Sequence, residues 1–205
     1  MLHLLQEFRD SIAAARRLIA AAHVTDATGS FIWPEQDRQT VSEASFLKVF
    51  IAWESLQEKA FIEYLVGTAS GAGNTVRCHA TPLDRTHANQ MLVGIMKFVD
   101  WSTPDVVRKL SRNFFVGGEP FEGTLAGIHS DLLDLKTIRN AAAHLASSTA
   151  QQLDALASRK LQRSVSGISA ASFLLSVDPT STAGDTILEV YVALLDAAAY
   201  RIVNA

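Results

Sequence analysis

The sequence predicts an all-α fold, on three observations. Apolar residues recur at helical spacing along most of the 205 residues, alanine and leucine dominate the composition, and proline occurs only five times. The chain reads as one domain, 1–205, long enough to bury a real core.

Residues 2 to about 23 set Leu2, Leu5, Ile12, Ala15 and Ile19 on one helical face and end in the polar stretch Thr25-Asp-Ala-Thr-Gly29-Ser30. An amphipathic helix and a loop are expected there. Trp33-Pro34 leads into Thr40-Val-Ser42-Glu43, where a hydroxyl cap with an acid in the first turn predicts a core helix over about 40–66, stopped at Gly67. Leu47, Phe50, Phe61 and Tyr64 lie on its apolar rows, and Glu54 stands four residues after Phe50. An acid on such a row needs a partner, because burying an unpaired charge is costly. The glycine-rich run from Gly67 to Asn74 follows a helix rather than a strand and lacks the lysine of a phosphate-binding loop, so it reads as a flexible connection.

Helical spacing returns over 84–99, and Thr103-Pro104-Asp105 opens a shorter helix with Thr103 as its expected cap. Arg108, Lys109 and Arg112 make that helix basic, either as a solvated face or as a phosphate-backbone contact. Gly117-Gly118-Glu119-Pro120 is a turn, and a second core helix follows over about 121–147. Ser147-Ser148-Thr149 caps a helix to about 162. Residues 164–183 form an irregular, serine-rich excursion in which Phe173-Leu174-Leu175 is expected to be extended. A last helix over 185–203 closes the core with Ile187, Val190, Tyr191, Leu194 and Leu195. The pattern is a bundle with short connections.

Composition narrows the function. A net charge of −3 argues against a general nucleic-acid coat protein while leaving room for a local basic cleft. Cys78 is the only cysteine, which excludes a disulfide framework and points to reducing surroundings. No apolar run is long enough for a membrane span, and the charges Glu7, Arg9, Asp10, Arg16 and Arg17 do not suit a signal-peptide core; a cytoplasmic protein without a membrane partner is expected. His79, His87 and His129 lack ligand partners at metal-binding spacing, Cys78-His79 is too little for zinc, and no Gly-x-Ser-x-Gly is present. No cofactor or metal is expected.

The chemistry-bearing stretch is Asp131-Leu-Leu-Asp-Leu-Lys136-Thr-Ile-Arg139-Asn140-Ala-Ala-Ala-His144-Leu145. At about 100° per residue, Ile128, Leu132, Leu135 and Ala142 form an apolar stripe into which Arg139 falls. His144 points nearly the opposite way, on a flank shared with Lys136 and Asn140. The spacing predicts a half-buried cation and an accessible imidazole on one helix.

Arg139-Asn140-Ala-Ala-Ala-His144 resembles the signature of the HEPN superfamily, the higher eukaryotes and prokaryotes nucleotide-binding domains: Arg, four to six residues, then His on a core helix, with a polar residue after the Arg. The resemblance rests most firmly on the helices over 40–66 and 121–147. It implies a HEPN-like helical bundle with additional N- and C-terminal helices. It also implies a metal-independent endoribonuclease, often a toxin or antiviral effector, that works as a homodimer joining two copies of the motif. The expected roles are a proton-handling His144, a phosphate-holding Arg139, an orienting Asn140 and a Glu54 that pairs with Arg139, with Lys136, Arg108 and Arg112 as weaker RNA contacts. RNA is the implied substrate, and an antitoxin or other regulatory protein an implied partner. A family subset carries a modified tyrosine two residues after the His; that place is Ala146 here, so neutralisation by that route is not implied. The alternative is a catalytically inactive HEPN-like bundle that binds a ligand or a protein.

Overall fold

The structure, a computed structural model, describes residues 1–94, 97–144 and 146–205. It is all-α. The helices are α1 (Leu2–Ala22), α2 (Glu35–Leu65), α3 (Arg85–Val93), α4 (Pro104–Phe114), α5 (Phe121–Gly127), α6 (His129–Ala143), α7 (Ser147–Lys160), α8 (Ala170–Leu174) and α9 (Ile187–Val203), with a 3-10 turn at Val116–Gly118. Extended pairing among the described residues is confined to isolated antiparallel bridges. None of the described helices is long and apolar enough to cross a membrane.

Several boundaries differ from the sequence reading, each for a local reason. Helix α2 starts at Glu35 rather than near Thr40: the Pro34 carbonyl accepts from Arg38 N at 3.1 Å, and Glu35 and Asp37 supply acid to the first turn. The hydroxyls expected to cap it bond backward within the helix, Thr40 to Gln36 O at 2.8 Å and Ser42 to Arg38 O at 2.7 Å. Thr103 also does not cap by its side chain; its hydroxyl donates to Asp100 at 2.6 Å. Helix α3 is capped by Asp84, which accepts from His87 N at 2.8 Å, and ends at Gly94, whose φ of 55° is left-handed. Of the longer helix expected to 99, Ile95 and Met96 lie outside the described residues. The expected helix over 121–147 is two, separated at Ile128 with φ −122°. Gly127 weakens the end of α5, and the Ile128 carbonyl restarts the ladder by accepting from Leu132 N at 3.0 Å. The segment 173–175 is not extended: Ser169 accepts from Ser172 N at 3.1 Å and caps α8, which buries Phe173 and Leu174.

The chain divides into two compact units. The first comprises Met1–Arg9, Ala52–Leu133 and Leu194–Ala205. Its core gathers rings around Phe61, whose centroid lies 4.6 Å from Phe115, 4.9 Å from Phe121 and 5.6 Å from Trp101. The buried Tyr64 hydroxyl donates to the Ile202 carbonyl at 2.5 Å, with the Val203 carbonyl at 3.1 Å, and burial pushes its pKa well above the ordinary phenol value. The run 67–74, expected to be flexible, is pinned to the same chain end. Gly71 N donates to Val203 O at 2.7 Å, and Asn74 Nδ2 to Ala205 O at 3.0 Å. A Cβ on Gly71 would meet Asn204 Oδ1 at 2.5 Å and Leu2 Cδ2 at 2.7 Å, so glycine is required by close approach.

The second unit comprises Asp10–Ile51 and Asp134–Ala193. Its apolar interior includes Ile12, Phe46, Phe50, Leu135, Ile138, Leu156 and Phe173, all buried. Asp134, also buried, accepts from Arg159 at 2.5 Å and from the Tyr191 hydroxyl at 3.3 Å, and lies 3.3 Å from Lys160 Nζ. One carboxylate thus ties α6 to α7 and α9. The excursion after α7 is ordered by similar local bonds: Asp154 accepts from Gly167 N at 2.9 Å and Ile168 N at 3.1 Å, and Asp178 from Thr180 N at 2.7 Å.

Candidate active site

The candidate residues stand on the last two turns of α6 and just beyond it. Leu135 and Ile138 are fully buried and fix which side of the helix faces inward. Ile138, rather than Arg139, takes the next buried place, and Arg139 lies beside it at the edge of the core, half-buried. Its Nη1 donates to Asn140 Oδ1 at 3.2 Å, so guanidinium and amide form a single polar unit. The amide oxygen is the acceptor in that bond. The NH2 group of Asn140 is therefore a donor available to a second acceptor.

His144 follows the last helical residue, Ala143, and its side chain is exposed. Its backbone is held on both sides: its N–H donates to Asn140 O at 2.9 Å, and its carbonyl accepts from the Thr149 hydroxyl at 3.0 Å. The same hydroxyl reaches Ala146 O at 2.7 Å. The imidazole is thus carried on a fixed backbone while the ring is open to solvent. Ala141 and Ala142 are half-buried and Ala143 exposed, which leaves the helix surface between Asn140 and His144 without bulk. Leu145 lies outside the described residues. Lys136, one turn before Asn140, is half-buried.

The other expected residues belong to the first unit. Glu54 is half-buried on α2, between buried Trp53 and Leu56 of the same helix. Arg108 and Arg112 of α4 both turn to Glu122 of α5, at 2.7 and 2.8 Å, and Arg108 also lies 3.7 Å from Asp105. Arg108, and then Arg112, hold the Glu122 carboxyl below its usual range against the opposing effect of burial. A phosphate would have to compete with that carboxylate for either guanidinium.

Three histidines bear on metal binding. His129 Nε2 lies 3.0 Å from Asp105, a carboxylate partner 24 residues away that sequence spacing could not reveal. His87 Nδ1 accepts from Leu83 N at 3.1 Å, which places its ring proton on Nε2. His79 is held by its backbone, N–H to Phe114 O at 2.8 Å. Among the described residues no three His, Cys, Asp or Glu side chains gather as a metal site would need.

Two features escaped the sequence reading: the buried Asp134 with its partners on α7 and α9, and a cavity beside Arg38 and His23. Neither carries a periodic signal, because the partners are far apart in sequence. Compared with known protein families, with curated proteins and with solved structures, the chain finds no match.

Proposed function

We propose that this protein is a metal-independent endoribonuclease of the HEPN type, acting as a homodimer. The observation that supports it most is the paired Arg139 guanidinium and Asn140 amide, half-buried on α6, with the exposed imidazole of His144 next to the end of that helix. These groups suit cleavage of RNA through its own 2′-hydroxyl. Imidazole exchanges protons near neutrality, and guanidinium stays charged and forks onto two phosphate oxygens.

In the proposed reaction, a neutral His144 takes the 2′-hydroxyl proton as the 2′-oxygen attacks phosphorus. Arg139 neutralises the charge gathering on the non-bridging oxygens, and Asn140 orients the guanidinium it is bonded to. The bond from phosphorus to the 5′-oxygen breaks, and a second, protonated His144 gives its proton to that oxygen. The products are a 2′,3′-cyclic phosphate and a 5′-hydroxyl. Arg139 and His144 are five residues apart, about 140° around an ideal helix, so one copy cannot easily aim both at one phosphate. Two copies packed through the small face at Ala141 bring each His144 to the other's Arg139.

The test is incubation of the pure protein with a mixed RNA pool, with analysis of the cut ends. Cyclic phosphate ends should appear, persist in excess EDTA and vanish when the nucleotide 5′ of the cut is 2′-deoxy. His144→Ala should lower the rate by about 10²–10⁴-fold while leaving the unfolding midpoint unchanged, since the side chain is exposed. Cutting of the 2′-deoxy substrate would remove the mechanism, and wild-type rates in His144→Ala would remove the site.

A further inference from the structure

A cavity of about 340 Å³ opens in the second unit, lined by His23 just after α1, Glu35, Arg38 and Gln39 from the start of α2, and Ser172 and Ser176 from α8 and the residues after it. That volume is within the range of small-molecule sites. The loop between α1 and α2 is built to present one ring beside it. Asp26 accepts from Thr28 N at 2.8 Å and Ser30 N at 3.1 Å, Ile32 N donates to Val24 O at 3.1 Å, and Phe31 pairs with Thr25 in an antiparallel bridge. Phe31 meets His23 edge-on, with centroids 5.8 Å apart, and lies under the Arg38 guanidinium, whose central carbon is 3.6 Å from the ring centroid.

The position of Arg38 is unusual for a structural arginine. No carboxylate among the described residues lies within ion-pair distance of it, and its Nε is buried with no acceptor. Glu35, one helical turn before it on α2, instead accepts from Gln39 Nε2 at 3.0 Å. A guanidinium stacked on an aromatic face, partly shut from water and unmatched by a carboxylate, is a preformed receptor for an oxyanion. His23 adds to this. Its Nδ1 lies 2.8 Å from the Ile19 carbonyl, which can only accept, so the proton is on Nδ1 and Nε2 remains for another partner.

We propose that this cavity binds a small molecule that couples a phosphate or carboxylate to an amine or hydroxyl. Arg38 anchors the oxyanion over Phe31, and Glu35, on the same wall, accepts from the amine or hydroxyl. The site is separate from the residues assigned to RNA cleavage and does not depend on that assignment.

The test is an NMR titration with three probes: phosphoethanolamine, β-alanine and ethyl phosphate. The first two share the amine and differ in the anion, so the tighter one identifies the oxyanion; ethyl phosphate lacks the amine and should bind more weakly than phosphoethanolamine. Phosphoethanolamine or β-alanine should shift the His23 ring signals saturably in the unaltered protein. Arg38→Gln should weaken that binding by about ten- to a hundredfold and Arg38→Lys by less, because lysine keeps the charge and loses the fork. Thermal unfolding of both variants shows whether they fold, and the titration of the unaltered protein stands if they do not. No saturable shift at millimolar concentration with any probe, or equal affinity in a folded Arg38→Gln, overturns the proposal. Ethyl phosphate binding as tightly as phosphoethanolamine overturns the part given to Glu35.

Discussion

Asp134 is a charged residue on the inward side of α6. Its carboxylate is buried, but each oxygen has partners: Arg159 on one, and Tyr191 and Lys160 on the other. Arg159 is 60 % exposed at its side chain, so solvent screens its ion pair with Asp134 and that pair contributes little to the cost of losing the carboxylate. Asp134→Ala is expected to lower stability by about 1–3 kcal/mol and Tyr191→Phe by about 1 kcal/mol. The double variant should cost less than the sum, measured by urea unfolding of all four proteins. Strict additivity would show that the carboxylate and the hydroxyl do not support one another.

Pairs of elements are joined by exposed or half-exposed charges whose protonation is readable. Glu63 of α2 accepts from Arg85 of α3 at 2.6 and 2.9 Å and from Thr68 at 2.6 Å. Arg85, foremost, and then Thr68 hold its carboxyl below the usual range against desolvation. Because the folded-state pKa is depressed, the stabilisation is complete above the ordinary carboxylate range and is lost as pH falls through the depressed value. Glu63→Gln should therefore flatten the acid side of a plot of unfolding free energy against pH and leave its neutral side parallel to the wild type. An unchanged acid limb would show that the pair is not formed in solution.

Part of this architecture is legible in the chain. Helical class, the first and last helices and the polar exposure of His144 follow from periodicity, because burial repeats with the helix. The starts of helices were harder. Thr40 and Ser42 could cap or bond backward, and only the neighbouring Pro34 and Glu35 decide it; Ile128 breaks the second core helix without a proline to mark the place. Of the candidate site, the link between Arg139 and Asn140 was legible as adjacency. Glu122 as the partner of Arg108 and Arg112 was not, since a cation's partner across a turn leaves no spacing rule.

For the whole molecule, the proposed activity has a concentration dependence. If two α6 helices share the site, the rate per chain should fall when the protein is diluted below its dimer dissociation constant, followed in parallel by sedimentation. A constant rate per chain through the passage from dimer to monomer would refute the shared site even if RNA were still cut. A negative charge introduced at exposed Ala143, as Ala143→Glu, should shift both curves to higher concentration together.

The pinning of the 67–74 turn also predicts how individual amides trade their hydrogens with solvent. A glycine in a loop ordinarily exchanges within the time of mixing, but the Gly71 N–H is spent on the Val203 carbonyl, beside the buried Tyr64 hydroxyl. Its exchange should be as slow as that of amides in the middle of α9, and Tyr64→Phe should quicken it selectively. Heavy-water exchange followed by NMR would report this, and a fast Gly71 amide in the unaltered protein would mean that the last turn of α9 frays.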